Sequence, residues 1–543
     1  MRTALGVFAI GFTLAGCGAA DAGGLLGGDN HGQGAGSDAG GGGGGEGAAD
    51  GGGVALPDGG PVGAGDGGAG GRDAAPPEPS AKPLAKGLVV SEVAVFQSVK
   101  VSVAKSGAKN ATRVAPVVAK RDALVRVYVT LGAGYTPKAI TAELKLSSGG
   151  TAFPILTDTK TLSATSTEAD LATTFDFSVP GASLPSGVTY SVALTDPTLP
   201  GARDAAPSDA RYPKDGSLEA LDAKSSGDQL KVKLVPFQYN ADGSGRLPDT
   251  SAAQLENYRK AIYGRYPAAA VDITVRAPHA FSGAIDSSGN GFGAALQELV
   301  ALRQQDNVAD DVYYMGVFAP AADFNTFCGN GCVVGLSGIG NDPSDAAVRA
   351  SVGEGFTGYE AGLTAAHEIG HAHGRYHAPC GGAAGPDPNF PYAGGGDGAW
   401  GYSLNTKGLL DPAQYKDMMG YCTPGWISDY NYNKLFVRMA SVNHAPRVVG
   451  GWTEPRAYRF LSVKPDGSVA WGQSTLMRQE PRGREHAVTY YAANGAPLAT
   501  VTGHFYEYGD LAGGFMLVPE APPAMVRTTI ASFPFTSTIA RTF

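Results

Sequence analysis

Three features are scarce or missing in this chain, and each narrows what the protein can be. There is no surplus of basic residues, since 41 lysines and arginines stand against 50 aspartates and glutamates, and nucleic-acid binding is therefore not expected. No apolar run is long enough to span a bilayer as a mature helix, which takes about 20 residues. Cysteine is rare, with five in 543 residues, so the position of each one is informative.

The N-terminus is typical of an exported bacterial protein. Arg2 precedes a short apolar stretch that closes in Leu14-Ala15-Gly16-Cys17. This tetrad resembles the lipobox, in which the signal is cut before a cysteine that is then acylated. An ordinary signal peptide that contains a cysteine is the alternative. The first 17 residues are expected to be a lipoprotein signal, with Cys17 anchoring the protein in the outer membrane or at the cell surface.

The segment that follows is expected to be a disordered tether. Residues 18–85 contain 26 of the 80 glycines, mixed with Ala, Asp and Pro. Such a composition buries too little apolar surface to offset the chain entropy lost on folding. The same segment has nine acidic and two basic residues, so most of the net charge of −9 lies there. The acidity therefore says little about a substrate.

Between residues 86 and 200 the sequence is typical of a β-sandwich. Short β-branched or alternating runs, such as Leu124–Val129 and Tyr190–Leu194, recur between turns. Strands at this spacing favour two packed antiparallel sheets. Residues 201–227 are rich in Asp, Ala, Ser, Lys and Pro, which predicts an interdomain linker.

From residue 228 to 445 strand and helix patterns alternate. Leu230–Phe237 predicts a strand, and Ser251 with Gln254 resembles a capping box that begins a helix. Alternation of this kind predicts an α/β layer. Over residues 446–543 short alternating runs return and predict a C-terminal β-domain. The expected fold is thus multidomain, with an α/β (α+β) unit between two β-domains.

Four cysteines remain once Cys17 is assigned to the lipid. Cys328, Cys332, Cys380 and Cys422 are an even number in an exported chain, so two disulfides are expected. Of the three possible pairings we favour Cys328–Cys332 with Cys380–Cys422. A four-cysteine zinc site is the alternative, although two short Cys-x-x-Cys pairs are missing.

The segment from Ala366 to His377 has the sequence AHEIGHAHGRYH. On a helix, residues four apart differ by about 40° in direction and about 6 Å in rise, so His367 and His371 can reach one ion. Gly374 can take a positive φ, end the helix and turn the chain so that His377 becomes a third ligand. Three neutral imidazoles suit zinc and leave a fourth position for water.

Glu368 projects about 100° away from His367, so it is not a natural fourth ligand. It can instead take a proton from the zinc-bound water, whose pKa the metal lowers towards 7. One catalytic Zn2+ with Glu368 as general base is therefore expected. His373 fits no ligand position, and it is expected either to support the site or to be a bystander.

With HExxHxxGxxH the sequence resembles the metzincin zinc peptidases. The resemblance covers residues 228–445 and includes the sequence DMMGYC at 417–422, which is similar to the family's methionine turn. It implies a metzincin-like catalytic domain with Met419 beneath the metal, or Met418 as the alternative. It also implies that Tyr421 can approach the zinc and stabilise the tetrahedral intermediate, although this tyrosine could equally be a packing group.

Other features bear on the branch of the family. Residues 335–340 look like the edge strand that aligns substrates, and Trp426–Tyr430 is similar to secreted bacterial members. A Cys380–Cys422 disulfide would join the third-ligand loop to the methionine turn, as in pappalysins. Dictomallein-like, pappalysin-like and astacin- or serralysin-like branches all stay open.

One family feature is missing from the sequence. No cysteine lies between Cys17 and Cys328, so the cysteine switch that keeps many metzincins latent is not expected. An aspartate or another group could serve instead, or there is no zymogen.

The expected function is that of a secreted, lipid-anchored zinc metalloendopeptidase. Its partners are expected to be a protein or glycoprotein substrate and the membrane, and the chain is expected to be a monomer. The alternatives are a surface binding module with a structural or degenerate zinc site, and zinc-dependent hydrolysis of a non-peptide bond. Glu368 argues against the binding module, because structural zinc needs no general base.

Overall fold

The computed structural model describes residues 82–329, 331–444 and 452–542. The predicted signal peptide, Cys17 and nearly all of the predicted tether lie outside this part of the chain. The described residues are mainly β-structure, arranged in several sheets. None of the described helices is both long enough and apolar enough to cross a membrane.

The first 140 or so described residues contain ten strands and two short 3-10 helices. The strands are β1 (Leu88–Lys105), β2 (Ala108–Lys109), β3 (Ala123–Leu131), β4 (Ala139–Ser148), β5 (Thr151–Ala152), β6 (Leu156–Thr161), β7 (Phe175–Val179), β8 (Thr189–Thr195), β9 (Arg211–Tyr212) and β10 (Glu219–Ala220). The 3-10 helices are Leu171–Thr173 and Gly181–Ser183.

These strands form two sheets that share one core. In the first sheet β1 pairs antiparallel with β3, which places Val93 opposite Val127 and Val95 opposite Val125. All four valines are buried in the same cluster as Ile140 of β4, in the second sheet. Because strand neighbours point to opposite faces, the alternating valines close the core between the sheets.

Residues 201–227 differ from the predicted linker. They contribute β9 and β10, which both pair antiparallel with β8. Tyr212 and Leu221 are buried in the shared core. The polar composition of this segment hides these few apolar anchors, which is why it has the sequence pattern of a linker.

The next region contains five helices and ten strands. The helices are α1 (Ala252–Arg265), α2 (Phe292–Asp306), α3 (Phe324–Cys328), α4 (Tyr359–Ala372) and α5 (Asp429–His444), with a 3-10 helix at Ala393–Gly395. The strands are β11 (Leu230–Tyr239), β12 (Val271–Val275), β13 (His279–Phe281), β14 (Val312–Phe318), β15 (Gly335–Ser337), β16 (Ala350–Glu354), β17 (Gly401–Ser403), β18 (Gly408–Leu410), β19 (Lys416–Asp417) and β20 (Gly425–Trp426).

The main sheet of this region has the order β12-β11-β14-β16-β15, with β13 also paired to β11. Its strands are parallel except β15, which runs antiparallel at one edge. Helix α4 packs closely on α1, since a Cβ added at Gly362 would lie 2.9 Å from Ala261 Cβ. Strand β17 pairs with β1, and Trp426 Nε1 donates to Ser98 O at 2.9 Å, so this region is tied to the first sheet.

The last region is a seven-stranded antiparallel sheet of order β22-β21-β25-β24-β23-β26-β27. Its strands are β21 (Arg456–Val463), β22 (Val469–Met477), β23 (Arg484–Tyr491), β24 (Pro497–Glu507), β25 (Gly514–Pro519), β26 (Arg527–Ile530) and β27 (Thr538–Ala540).

Both faces of this C-terminal sheet are covered. Phe515 and Leu517 of β25 belong to the cluster that contains Leu296 and Leu299 of α2. Met516, between them, belongs to a separate cluster on the other face. Because alternate side chains of β25 face α2, the sheet packs on this helix, and the loop between β24 and β25 lies near α4.

Candidate metal centre

Helix α4 presents its apolar side to the core and its histidines to a cleft. Ala365, Ala366 and Ile369 are buried in the core cluster, while His367 and His371 are one turn apart on another side. The chain leaves the helix at Gly374, which has a φ of +78°. A Cβ at this glycine would also lie 2.7 Å from Gly340 O. Both the turn and the close packing therefore require glycine here.

The three predicted ligands converge in the structure. His371 Nε2 lies 3.1 Å from His367 Nε2, and the ring of His377 is centred 5.3 Å from that of His367 and 4.7 Å from that of His371. Ligands about 2.0–2.1 Å from a tetrahedral ion lie about 3.3 Å from one another. The spacing of the two helical nitrogens thus fits one bound metal ion.

Each ligand histidine is oriented by a backbone carbonyl. The Nδ1 atoms of His367, His371 and His377 lie 2.7, 2.6 and 2.6 Å from the carbonyl oxygens of Met418, Arg375 and Ala384. A carbonyl can only accept, so Nδ1 carries a hydrogen, and in the neutral form of each ring the Nε2 lone pair faces the other histidines. Burial also lowers the pKa of His371 to about 3.

A fourth group, absent from the sequence-based prediction, completes the cluster. Asp510, on the loop between β24 and β25, places its carboxylate 3.4, 3.5 and 3.2 Å from the Nε2 atoms of His367, His371 and His377. The four ligand atoms all lie within 4.8 Å of one another and could hold a metal ion. No local sequence pattern marks Asp510, because it lies 133 residues from His377 and reaches the site through sheet packing.

The charge of Asp510 is balanced by the histidines. Burial alone would favour its neutral acid, but the three imidazoles hold the pKa of Asp510 well below its usual range. In turn, burial lowers the pKa of His367, but the hydrogen bond to Asp510, the charge of Asp510 and further contacts together raise it above its usual value. A bound divalent cation would take over this balancing role, because it is a larger positive charge at the same place.

Glu368 lies beside the cluster with its carboxyl group buried against β15. The residue is 1% exposed, and a Cβ at Gly335 would lie 2.2 Å from Glu368 Oε1. Burial, together with the charge of Asp510, raises the pKa of Glu368 well above its usual range. The absence of a side chain at Gly335 makes room for the Glu368 carboxyl group. The raised pKa means that, without a metal ion, this carboxyl group favours its protonated form.

Met419 and Tyr421 take up different positions around the site. Met419 is fully buried, and its Sδ would lie 2.5 Å from a Cβ at Gly370, so it packs directly on α4. Met418 instead supplies the carbonyl that orients His367. The Tyr421 hydroxyl donates to Asp510 Oδ1 at 2.8 Å, so this tyrosine faces the cluster and is more than a packing group.

The predicted disulfides are both confirmed. Cys380–Cys422 joins the loop after His377 to the turn that contains Met419, and Cys328–Cys332 closes a short loop before β15. The four-cysteine zinc site is therefore wrong. Each pair forms a covalent bond and leaves no thiolate to bind a metal.

Two buried residues explain how the surroundings are held. Asp417, which the sequence-based prediction did not include, accepts from the backbone nitrogen of Met419 at 2.8 Å and from that of Ser428 at 2.9 Å, so it shapes the turn. His373 stacks on Tyr313 with ring centres 4.1 Å apart. It is not a member of the metal-binding cluster, in line with a supporting place rather than a ligand.

In comparisons with known proteins, no protein-family model and no curated protein matches this chain.

Proposed function

We propose that the protein is an exported, lipid-anchored zinc endopeptidase of the metzincin type. Residues 228–445 would form its catalytic domain, between an N-terminal β-sandwich and a C-terminal β-domain. The convergence of three histidine Nε2 atoms beside a buried glutamate is the observation that carries the proposal. Two disulfides support an exported protein, because such bonds persist in oxidising compartments.

The donor set favours zinc. Three imidazole nitrogens with their Nδ1 atoms bound to carbonyls are borderline-soft ligands of the kind that zinc prefers. When bound, zinc supplies Lewis acidity that polarises a peptide carbonyl and makes a water more acidic. His367, His371 and His377 would hold it.

The residues of the chain would divide the remaining work among them. Glu368 would take the proton from the attacking water and return it to the leaving amine, because its buried carboxyl group is adjacent to Asp510 and the histidines. Tyr421 donates a hydrogen bond to the developing oxyanion, since its hydroxyl already reaches the centre of the cluster. Strand β15, at the edge of the main sheet, pairs with the extended substrate.

A zinc-containing binding module is the second candidate, and Asp510 is the observation that favours it. With Asp510 as a fourth protein ligand, the coordination of zinc would be closed, as in structural sites. A test of the first proposal must therefore examine the parent and an Asp510→Ala variant side by side.

The test compares Glu368→Gln with its parent in both backgrounds. Glu368→Gln is expected to retain about one zinc per chain and to lose cleavage of fluorescein-labelled casein by roughly a thousandfold or more, because the proton acceptor is gone. Zinc content is measured by atomic absorption and cleavage by release of labelled peptides. If the proteins that retain Glu368 bind zinc fully but do not cleave casein, with or without Asp510→Ala, the result would favour the binding module and contradict the endopeptidase.

A further inference from the structure

The loop between β24 and β25 lies along the outer edge of β15, the last strand of the main sheet. Gly509 N donates to Ser337 O at 2.9 Å, and Ile339 N donates to Glu507 O at 2.9 Å. Tyr508 forms an antiparallel bridge with Gly338 between these bonds. Residues 507–511, named here the plug segment, therefore extend the sheet beyond β15 as a bound peptide would.

The backbone of the plug segment passes so close to His371 that only glycine fits at position 509. A Cβ at Gly509 would lie 2.5 Å from His371 Cδ2, so any side chain at this position would collide with a ligand. The next residue, Asp510, places its carboxylate among the three Nε2 atoms and beside the Tyr421 hydroxyl. This is the position at which the reacting carbonyl and water would have to meet.

Side chains on either side of Asp510 hold the plug segment in the cleft. Leu511 packs against Val333 and so closely over Gly289 that a Cβ there would lie 2.9 Å from Leu511 Cδ1. Tyr508 packs in the same apolar cluster, with its hydroxyl 2.8 Å from the position of a Cβ at Gly293. Two apolar contacts and one carboxylate therefore attach five residues to the site.

The sheet that carries the plug segment is itself fixed to the region around β15. The Tyr506 hydroxyl donates to Asp345 Oδ2 at 2.6 Å, and Arg482 N donates to the same oxygen at 2.8 Å. Gln297 Nε2 donates to Ser462 Oγ at 2.7 Å. These contacts would break together if the C-terminal sheet moved away or were cleaved off.

We propose that the C-terminal sheet is a built-in inhibitor, whose plug segment occupies the substrate position and whose Asp510 takes the place of the reacting water. This inference rests on the proposed endopeptidase function and adds its regulation. A peptide substrate and the plug segment need the same edge of β15 and the same coordination position, so they exclude each other. The intact chain is latent, and displacement or proteolytic removal of the C-terminal sheet activates it.

The test uses two variants that open the cleft by different routes and one matched control. Asp510→Ala removes the carboxylate, and Gly509→Val introduces the collision with His371. Ala512→Val introduces the same side chain at an exposed position of the same loop and leaves residues 507–511 unchanged. All three are made in the full chain, and zinc content, casein cleavage and amide hydrogen exchange are measured for each.

Asp510→Ala is expected to raise kcat/KM for casein by about tenfold or more. Activity is limited by the fraction of molecules in which the plug segment has left the site, and the variant raises this fraction. Zinc content should stay at about one per chain, since three histidines remain. In metal-free protein, amide exchange at residues 337–339 should accelerate by at least about tenfold in Gly509→Val and in Asp510→Ala. Ala512→Val should match the parent in all three measurements.

The outcomes separate this inference from the function on which it rests. Parent protein that cleaves as fast as both variants, with unchanged exchange at residues 337–339, overturns the inhibitor and leaves the endopeptidase standing. Faster exchange in both variants without any cleavage supports the plug segment and contradicts the endopeptidase. Loss of zinc from Asp510→Ala overturns the inhibitor, because Asp510 would then be a required ligand.

Discussion

Two regions of the molecule meet at the candidate metal centre, and their side chains are held there in different ways. The helix α4 and the turn at Met419 supply groups that are fixed by neighbouring backbone, with each histidine Nδ1 on a carbonyl. The loop after β24 supplies Asp510, whose carboxylate contacts side chains in the described residues, namely the three histidines, Tyr421 and Glu368. The first set is preorganised by local structure, whereas the position of Asp510 depends on the docking of the whole C-terminal sheet.

The largest expected effect comes from breaking the preorganised half. His371→Ala removes one buried ligand, and a four-ligand zinc site is worth about 10–16 kcal/mol. The loss should cost at least about 3 kcal/mol, or on the order of a hundredfold in zinc affinity. Competition with a chromophoric chelator measures the affinity.

Asp510→Ala is the counterpart of that variant in the docked half. Its zinc affinity should fall by less than about tenfold, because the hydrogen bonds and ion pairs of this carboxylate in the described part of the chain are with side chains. Equal losses of zinc affinity in His371→Ala and Asp510→Ala would show that the two residues contribute equally to metal binding and would contradict this prediction.

A separate effect, on the free energy of unfolding, concerns the disulfide that joins the loop after His377 to the turn at Met419. Cys380–Cys422 has a sequence separation of 42 residues, for which chain entropy predicts a stabilisation of about 4 kcal/mol. The double variant Cys380→Ser/Cys422→Ser should therefore melt well below the parent in scanning calorimetry. It should also bind zinc more weakly, since the disulfide joins the His377 loop to the turn at Met419.

Cys328→Ser/Cys332→Ser is the matched control for that variant. Its bond has a sequence separation of only 4 residues, so the expected cost is about 2 kcal/mol. Zinc affinity should fall less than in the Cys380/Cys422 variant, because Cys380 follows His377 by three residues, whereas Cys328 and Cys332 are far in sequence from all three histidines. A larger loss of stability in this control than in the Cys380/Cys422 pair would contradict the expected difference between the two bonds.

The smallest effect is expected where the two regions touch. Tyr421→Phe removes the hydroxyl that donates to Asp510 Oδ1, and it does so at a residue that is 42% exposed. In the Asp510→Ala background, kcat for casein should fall by about tenfold, with KM nearly unchanged, if the phenol serves the oxyanion. An unchanged kcat in that background would show that the phenol acts only on Asp510.

Much of the local chemistry could be predicted from sequence. The helical spacing of His367 and His371, the positive φ of Gly374 and the approach of His377 all follow from the geometry of eleven neighbouring residues. The pairing of Cys380 with Cys422 and of Cys328 with Cys332 was likewise within reach. The roles of Glu368 and Tyr421 in catalysis stay predictions.

The structures of residues 201–227 and 507–511 could not be predicted from local sequence patterns. In residues 201–227 a few buried apolar residues outweigh a polar composition, because β9 and β10 find partners in β8. In the plug segment, glycine at position 509 has no local signature, and its necessity arises only when His371 lies 2.5 Å from where a Cβ would be.

The sequence by itself determined the three histidines, the neighbouring glutamate and the turn that brings them together, since helical periodicity and glycine conformation act within a few residues. Only the tertiary structure decided that a carboxylate from the C-terminal sheet lies among those histidines and that the free edge of β15 is occupied. The reason is physical: the contacts of Asp510 depend on the alternating burial of β25 against α2, and no local pattern encodes which distant surface a sheet will cover.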